Sequence, residues 1–286
     1  MNQTERREYL IRELLKEEPR YRRVSVPGSV QEQKDLLRSL MNVRRPRAAS
    51  REFLAVQDDY LKEAIAEKGI TRLADLTPVE GDLYLWQGDI TTLECDAIVN
   101  AANSGMLGCF RPLHNCIDNC IHTFSGIQLR LKCAEIMDAQ GCEEPTGQAK
   151  ITPAYNLPSK YVIHTVGPIV DGALTQEHRD LLASSYRACL DVAAENGCDS
   201  IAFCCISTGV FGFPKREAAE IAVQTVKDWK TGKSSAIQVV FNVYGDEDPA
   251  AIGERSRFSH GSGESHSPPG SASPYYRACR RPQITL

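Results

Sequence analysis

Cys109, His114 and Cys116 place two thiols and an imidazole within eight residues, the donor types that zinc prefers. Their C-x4-H-x-C spacing, in a loop containing Gly108 and Pro112, lets the chain fold back and bring all three onto one ion. Three protein donors leave a fourth position for water or substrate, as in catalytic zinc sites, whereas Cys120 or His122 just beyond would close the set and make it structural. The competing reading is that free cysteines are small buried hydrophobes in a reducing compartment. Cys133, Cys142, Cys189, Cys198, Cys204 and Cys205 show no comparable cluster and fit that description.

A second segment, Ser207-Thr208-Gly209-Val210-Phe211-Gly212-Phe213-Pro214, follows the apolar run Ile201–Ile206 and precedes a helical pattern whose first turn suits Pro214. Its glycines and the helix N-terminus set successive N–H groups around one anion-sized hollow, so a diphosphate can be held without lysines. Phe211 is placed to cover a ribose or base. Without a ligand, the same residues would be an ordinary strand-to-helix junction. Asn100 and Asn103 end the buried run Ala97–Val99 at the carboxyl end of a strand, where open α/β sheets take ligands. Their amides serve either a ligand or the loop backbone. Gln87-Gly88-Asp89-Ile90 follows another apolar run, and Asp89 either accepts from an exocyclic amine or caps a surface turn.

The elements that must position these residues fall into two groups. Three amphipathic helices lead: Leu10, Ile11, Leu14 and Leu15 stripe the first, which Pro19 follows. Ser29 and Glu32 have capping-box spacing for a second carrying Leu36, Leu37, Leu40 and Met41. A third, over 51–68, turns Phe53, Leu54, Leu61, Ala64 and Ile65 inward and stops at Gly69 in a left-handed conformation. Residues 1–75 read as a helical extension. From Leu83, β-rich runs at 83–86, 97–99, 161–166, 201–206 and 237–244 alternate with helical ones near 178–196 and 215–230, which predicts an α/β domain around a mixed sheet. This domain spans 76–248, and the low-complexity segment 249–286 is too poor in large apolar residues to order itself.

The 286 residues carry 11 cysteines, an odd number in a chain long enough to bury its own core, so a disulfide framework is not expected. The charged start MNQTERREYL is no secretory leader, and no apolar run spans a bilayer, so a cytoplasmic protein without membrane contact is expected. The net charge of −4 hides a segregation: residues 1–51 hold 13 basic and 7 acidic side chains, residues 52–249 hold 15 and 28. A body that acidic attracts no nucleic-acid backbone, and any phosphate on it must be held by local geometry.

Taken in order, GDIT at 88–91, IVNAAN at 98–103, PTGQAKITPAYNLP at 145–158, YVIHTVGP at 161–168 and STGVFGFP at 207–214 resemble the macrodomain family over residues 82–248. Where ordinary members carry a glycine-rich loop, GCFRPLHNCIDNCIH at 108–122 resembles the zinc-containing class of microbial protein-ADP-ribose hydrolases, in which a helical extension precedes the macrodomain. The resemblance implies a three-layer α/β sandwich that binds ADP-ribose. Asp89 and the Ile90 backbone would hold adenine, and Asn103 the distal ribose. Ser207, Thr208, Gly209, Val210, Phe211 and Gly212 would enclose diphosphate and ribose. Cys109, His114 and Cys116 would bind Zn2+ beside that ribose, and Asp118 in the same loop is a candidate substrate contact or proton acceptor, or else a cap or a carboxylate supporting the metal. The activity implied is zinc-dependent removal of mono-ADP-ribose from a modified protein, through an ester to Asp or Glu; the rivals are a non-catalytic reader and a hydrolase of small acylated ADP-ribose.

Overall fold

The structure, a computed structural model, describes residues 1–244. The last residues of the expected domain and the whole expected tail lie outside them. Three helices lead the chain, α1 (Gln3–Lys16), α2 (Val30–Val43) and α3 (Arg51–Lys68). Asn2, Ser29 and Ser50 cap them, each side-chain oxygen accepting the N–H three residues on. Asn2 and Glu5 form a reciprocal capping box. The Ser29–Glu32 pair, expected to do the same, differs: the Ser29 hydroxyl donates to the Glu32 carboxylate at 2.6 Å. Gly69 stops α3 with φ 87° and ψ 126°, a positive-φ conformation outside the left-handed helical one expected. Leu10, Ile11, Leu14, Leu36, Leu37, Leu40, Phe53 and Leu61 bury one another in a core that Ile127 from the following domain completes.

Nine strands follow among the described residues: β1 (Thr71–Arg72), β2 (Pro78–Glu80), β3 (Leu83–Gln87), β4 (Leu93–Glu94), β5 (Ala97–Ala101), β6 (Ala149–Pro153), β7 (Tyr161–Thr165), β8 (Ser200–Phe203) and β9 (Gln238–Val243). Seven form one sheet in the order β2-β3-β9-β8-β5-β7-β6. Its five inner strands are parallel and each edge strand pairs antiparallel, which makes the sheet mixed as expected. Parallel neighbours need crossovers, supplied by α4 (Ile117–Ser125), α5 (Ile127–Gln140), α6 (Gln176–Glu195) and α7 (Lys215–Lys233). Ile98, Val99, Val162, Ile163, Ile201, Val239 and Val240 are wholly buried, the continuous apolar pattern of strands covered on both faces. Helices α6 and α7 pack together on one face; α4 and α5 cover the other, with α2 and α3 against α4. The strand expected to reach Ile206 ends at Phe203, which releases Cys204–Ile206 into a loop.

Arg130 of α5 fastens the helical extension to the domain. Its Nη1 donates to the carbonyls of Met41, Asn42 and Arg44 at 3.0, 2.8 and 2.6 Å, where α2 ends. Its Nε donates to Leu107 O at 2.7 Å, and the guanidinium lies 4.2 Å over the Phe110 ring. One side chain thus satisfies the orphan carbonyls of a helix end and anchors the loop that opens at Leu107.

Candidate active site

A cleft of about 1020 Å³ opens where β3, β5, β8 and β9 end, lined by Asp89, Ala102, Asn103, Cys204, Cys205 and Asn242 among others. This is the carboxyl edge of the parallel strands, where such sheets take ligands.

Cys109, His114 and Cys116 meet on one wall, half-buried, their donor atoms all within 4.8 Å of one another. Cys109 Sγ lies 3.5 Å from His114 Nδ1. The loop is pinned from several sides: Asn119 Nδ2 donates to the carbonyls of Cys109 (3.3 Å) and Arg111 (3.0 Å), Leu113 N to Asn42 Oδ1 (3.1 Å), and Arg38 Nη2 to His114 O (2.7 Å). Leu113 holds φ 56°, a strained value for a γ-branched side chain that this pinning sustains. Burial, then Arg111 and Arg38, lower the His114 pKa, so the imidazole is neutral, the form that binds metal. Burial pushes the Cys116 thiol up to about 12 against a hydrogen bond from the Asn119 N–H. A divalent cation would displace the Cys116 proton, and two thiols and an imidazole in reach of one another are donors that fit zinc. Cys120 and His122 stand outside the set. Cys120 Sγ takes a long contact from Arg38 instead, 3.7 Å, and His122 lies with Cys133 and His164 in the buried interior. Three donors facing the cleft leave the arrangement open.

Asp118 is not in that loop, as expected, but in the first turn of α4, which Cys116 caps. Asn100 Nδ2 donates to its Oδ1 at 2.8 Å, and Asn103 Nδ2 lies 3.4 Å from its Oδ2. Burial pushes the Asp118 carboxyl up to about 6, against the hydrogen bond from Asn100 and the charge of Arg130. Asn103 lines the cleft, its Oδ1 accepting from Gly105 N at 3.1 Å. Asn100 does not reach the cleft: it is buried between Asp118 and His164 and serves the carboxylate. His164 in turn meets Thr152 Oγ1 at 3.0 Å. This buried line was missed because its members belong to three different strands and a helix.

Asp89 caps the short turn over 90–92, its Oδ1 accepting from Thr91 N (3.0 Å) and Thr91 Oγ1 (2.6 Å), and its Oδ2 from Lys68 Nζ (2.8 Å). Burial alone would raise this carboxyl, but the bonds from Lys68 and Thr91 outweigh it and hold it low. Of the two roles weighed for it, Asp89 caps a turn, and it lies on the cleft wall beside Ile90. Ser207, Thr208, Gly209, Val210 and Phe211 line the opposite side. Gly212, expected with them, does not; with φ 71° it closes the turn, and a Cβ there would stand 3.1 Å from Val170 O. The N–H groups of Gly209, Val210 and Phe211 donate to no group among the described residues, whereas those of Gly212 and Phe213 turn back on Gly209 and Ser207. Pro214 stands one residue before the first turn of α7, at its cap. Lys68 and Arg38, both from the leading helices, also line the cleft. Lys68 Nζ sits 3.3 Å above the Phe124 ring.

The sequence profile of the Macro domain family matches residues 99–222. A protein of Treponema medium named protein-ADP-ribose hydrolase is 64% identical over 254 residues, covering 87% of this chain and 97% of its own. One of the same name from Staphylococcus aureus (strain MSSA476) is 50% identical over 245 residues, 85% of this chain and 92% of its own. Among solved structures, the Trypanosoma brucei macrodomain in complex with ADP-ribose superposes with a TM-score of 0.60 at 28% identity, covering 76% of this chain and 94% of that one.

Proposed function

The chain belongs to the macrodomain family, and on that premise we propose that it is a zinc-dependent hydrolase that removes mono-ADP-ribose from modified protein side chains, cleaving an ester to Asp or Glu. The observation that carries this reading is the convergence of Cys109, His114 and Cys116 with Asn103 and Asp118 on one cleft, across from the loop 207–211 with its unspent N–H groups. The names of the relatives support the reaction class, and the ligand of the trypanosome structure supports the nucleotide.

In this reading Asp89 accepts from the adenine amine, sharing Oδ2 with Lys68, while the backbone of Ile90 lies alongside. The N–H groups of Gly209, Val210 and Phe211 cradle the diphosphate, and Ser207 and Thr208 begin that cradle. Asn103 presents its amide to the distal ribose and fixes it before the reaction. Cys109, His114 and Cys116 would hold zinc, which when bound would supply Lewis-acid polarisation of a substrate oxygen. Asp118, with Oδ1 held by Asn100, takes up a proton on the carboxylate oxygen beside Asn103. Phe211 and Val210 at the cleft wall keep bulk water from the diphosphate. At about 1020 Å³ the cleft sits at the top of the range for small-ligand pockets, roughly 300–1,000 Å³, which leaves space for the modified side chain next to ADP-ribose. None of the ten cysteines among the described residues forms a disulfide, which suits a reducing, cytoplasmic setting.

The deciding experiment incubates the zinc-loaded protein with an aspartyl- or glutamyl-mono-ADP-ribosylated protein and identifies what is released. Free ADP-ribose and an unmodified carboxyl are expected. Stable binding without release would make the protein a reader, and turnover confined to small acylated ADP-ribose would move the substrate from protein to metabolite.

A further inference from the structure

Some arginines of the N-terminal segment spend their charge on carboxylates within the fold: Arg6 pairs with Asp59 and Glu63, Arg12 with Glu8, and Arg44 and Arg47 with Glu17. Arg38, on the cleft wall, does not. It has no carboxylate within ion-pair distance among the described residues, and its hydrogen bonds all leave from Nη2, to His114 O (2.7 Å), Asn119 Oδ1 (3.0 Å) and Cys120 Sγ (3.7 Å). Its buried Nε donates to nothing. A guanidinium drawn partly out of water with no anion beside it is costly, and these three contacts fix its plane at the cleft wall. The cleft holds two other cations, Lys68, already neutralised by Asp89, and Arg111.

We propose that Arg38 is an oxyanion-binding residue of the cleft, so that the N-terminal helices form part of the ligand site. The inference rests on reading the cleft as an ADP-ribose site. The oxyanion is either the diphosphate or the carboxylate that hydrolysis of the Asp or Glu ester releases; a guanidinium held at a fixed angle suits both. The charge imbalance of the chain thereby acquires a function: the basic leader supplies the positive charge that the acidic body lacks.

Zinc-loaded Arg38→Gln, checked for metal content and unfolding midpoint, is titrated calorimetrically with ADP-ribose, ADP and adenosine at two salt concentrations, alongside wild type and Arg38→Lys. If the diphosphate is the oxyanion, Arg38→Gln raises Kd for ADP and ADP-ribose about 10- to 100-fold, leaves adenosine unchanged and flattens the salt dependence, and Arg38→Lys restores part of the loss. If the released carboxylate is, ADP and ADP-ribose bind as in wild type and product inhibition by the demodified protein weakens instead. Unchanged ligand binding and unchanged product inhibition would overturn the proposal, as would equal weakening of all three ligands, which would leave Arg38 a prop for the loop. Should Arg38→Gln not fold, wild-type protein treated with phenylglyoxal decides: ADP or the released carboxylate must slow modification of Arg38, mapped by mass spectrometry, where adenosine does not, and absence of protection by either overturns the proposal. A wild-type protein that fails to bind ADP-ribose would instead overturn the reading of the cleft, and the inference with it.

Discussion

Arg130→Met keeps an apolar stem of similar length and removes the group that joins the leading helices to the metal loop. Four hydrogen bonds disappear, to Leu107 O at 2.7 Å and to Met41, Asn42 and Arg44 carbonyls at 3.0, 2.8 and 2.6 Å, together with the stack on Phe110. Bonds from a charged donor are worth about 1.5–3 kcal/mol each, but three of these share one nitrogen and are not independent. The carbonyls left without a donor at the end of α2 add their desolvation cost. Breaking a buried charged network of this kind costs about 3–5 kcal/mol, a large part of the roughly 5–15 kcal/mol that a domain has. Burial lowers the Arg130 pKa to about 10, so the group is charged at neutral pH and its loss is felt in full. Denaturant unfolding of the zinc-loaded protein at pH 7.5, followed through Trp86 and Trp229 and by circular dichroism, should show the midpoint falling accordingly. Arg130→Lys should recover only a fraction, because one ammonium cannot span Leu107 O and the α2 carbonyls together. Zinc affinity should fall in the same variant, since the loop loses its anchor at Leu107. A loss below about 1 kcal/mol with unchanged zinc affinity would refute the idea that this side chain locks the two parts.

Asp89→Ala should raise the ADP-ribose dissociation constant about 10- to 100-fold with zinc content unchanged; Lys68→Met added to it should cost little more, and an unchanged constant on titration would place Asp89 outside the site. Cys116→Ala should abolish hydrolysis far more completely than ADP-ribose binding, and added zinc should rescue a chelated wild type but not the variant; near-normal turnover in folded, zinc-free Cys116→Ala would leave the metal no catalytic part. Gly167→Ala would set a Cβ 2.1 Å from Ser207 Oγ and 2.6 Å from Ile206 Cγ2, so the 207–211 loop must shift; nucleotide binding should weaken at least about tenfold for a stability loss of about 1–3 kcal/mol, and intact binding would show that the cradle tolerates movement. Burial pushes the His164 pKa down to about 3, so the unfolded chain takes a proton below pH 6.5 that the folded one refuses. Its contribution is complete above that pH and is lost toward pH 3, about 2 kcal/mol between pH 7 and 5; His164→Asn should flatten this acid limb in pH-dependent unfolding, and coincident limbs would show that His164 does not set it.

What the sequence revealed depended on how local each signal was. The three leading helices carry their apolar stripes and caps within one stretch, and the inner strands carry their apolar runs, so both could be placed within a few residues. Helix α5 could not: Ile127 faces the extension core while Leu129 and Cys133 face the sheet core, so being gripped on two sides leaves no single stripe. Helix α4 was hidden because it follows directly on the Cys/His segment, with Cys116 as its cap. The donors at 109–116 could be grouped because they are neighbours, and the same holds for the loop 207–211. Arg38, Lys68 and Arg130 carried no such signal, since their partners at 114–120, 89 and 41–44 are remote in sequence. The buried role of Asn100 was likewise set by Asp118 and His164, which only the fold brings beside it.

The sheet also dictates an order of events during synthesis. Strand β3 is made early but has only β2 and β9 as neighbours, and β9 is the last strand described. At roughly 5–20 residues per second, on the order of ten to thirty seconds pass at the ribosome before β9 emerges. Until then β3 carries an open edge next to the nascent Asp89 turn, whereas the leading helices wait only for Ile127, made well before β9, to finish their core. The nucleotide cleft, framed by the ends of β3 and β9, therefore takes shape only once β9 has emerged, and a chain released before Val243 would lack an inner strand of its sheet and one side of its binding site.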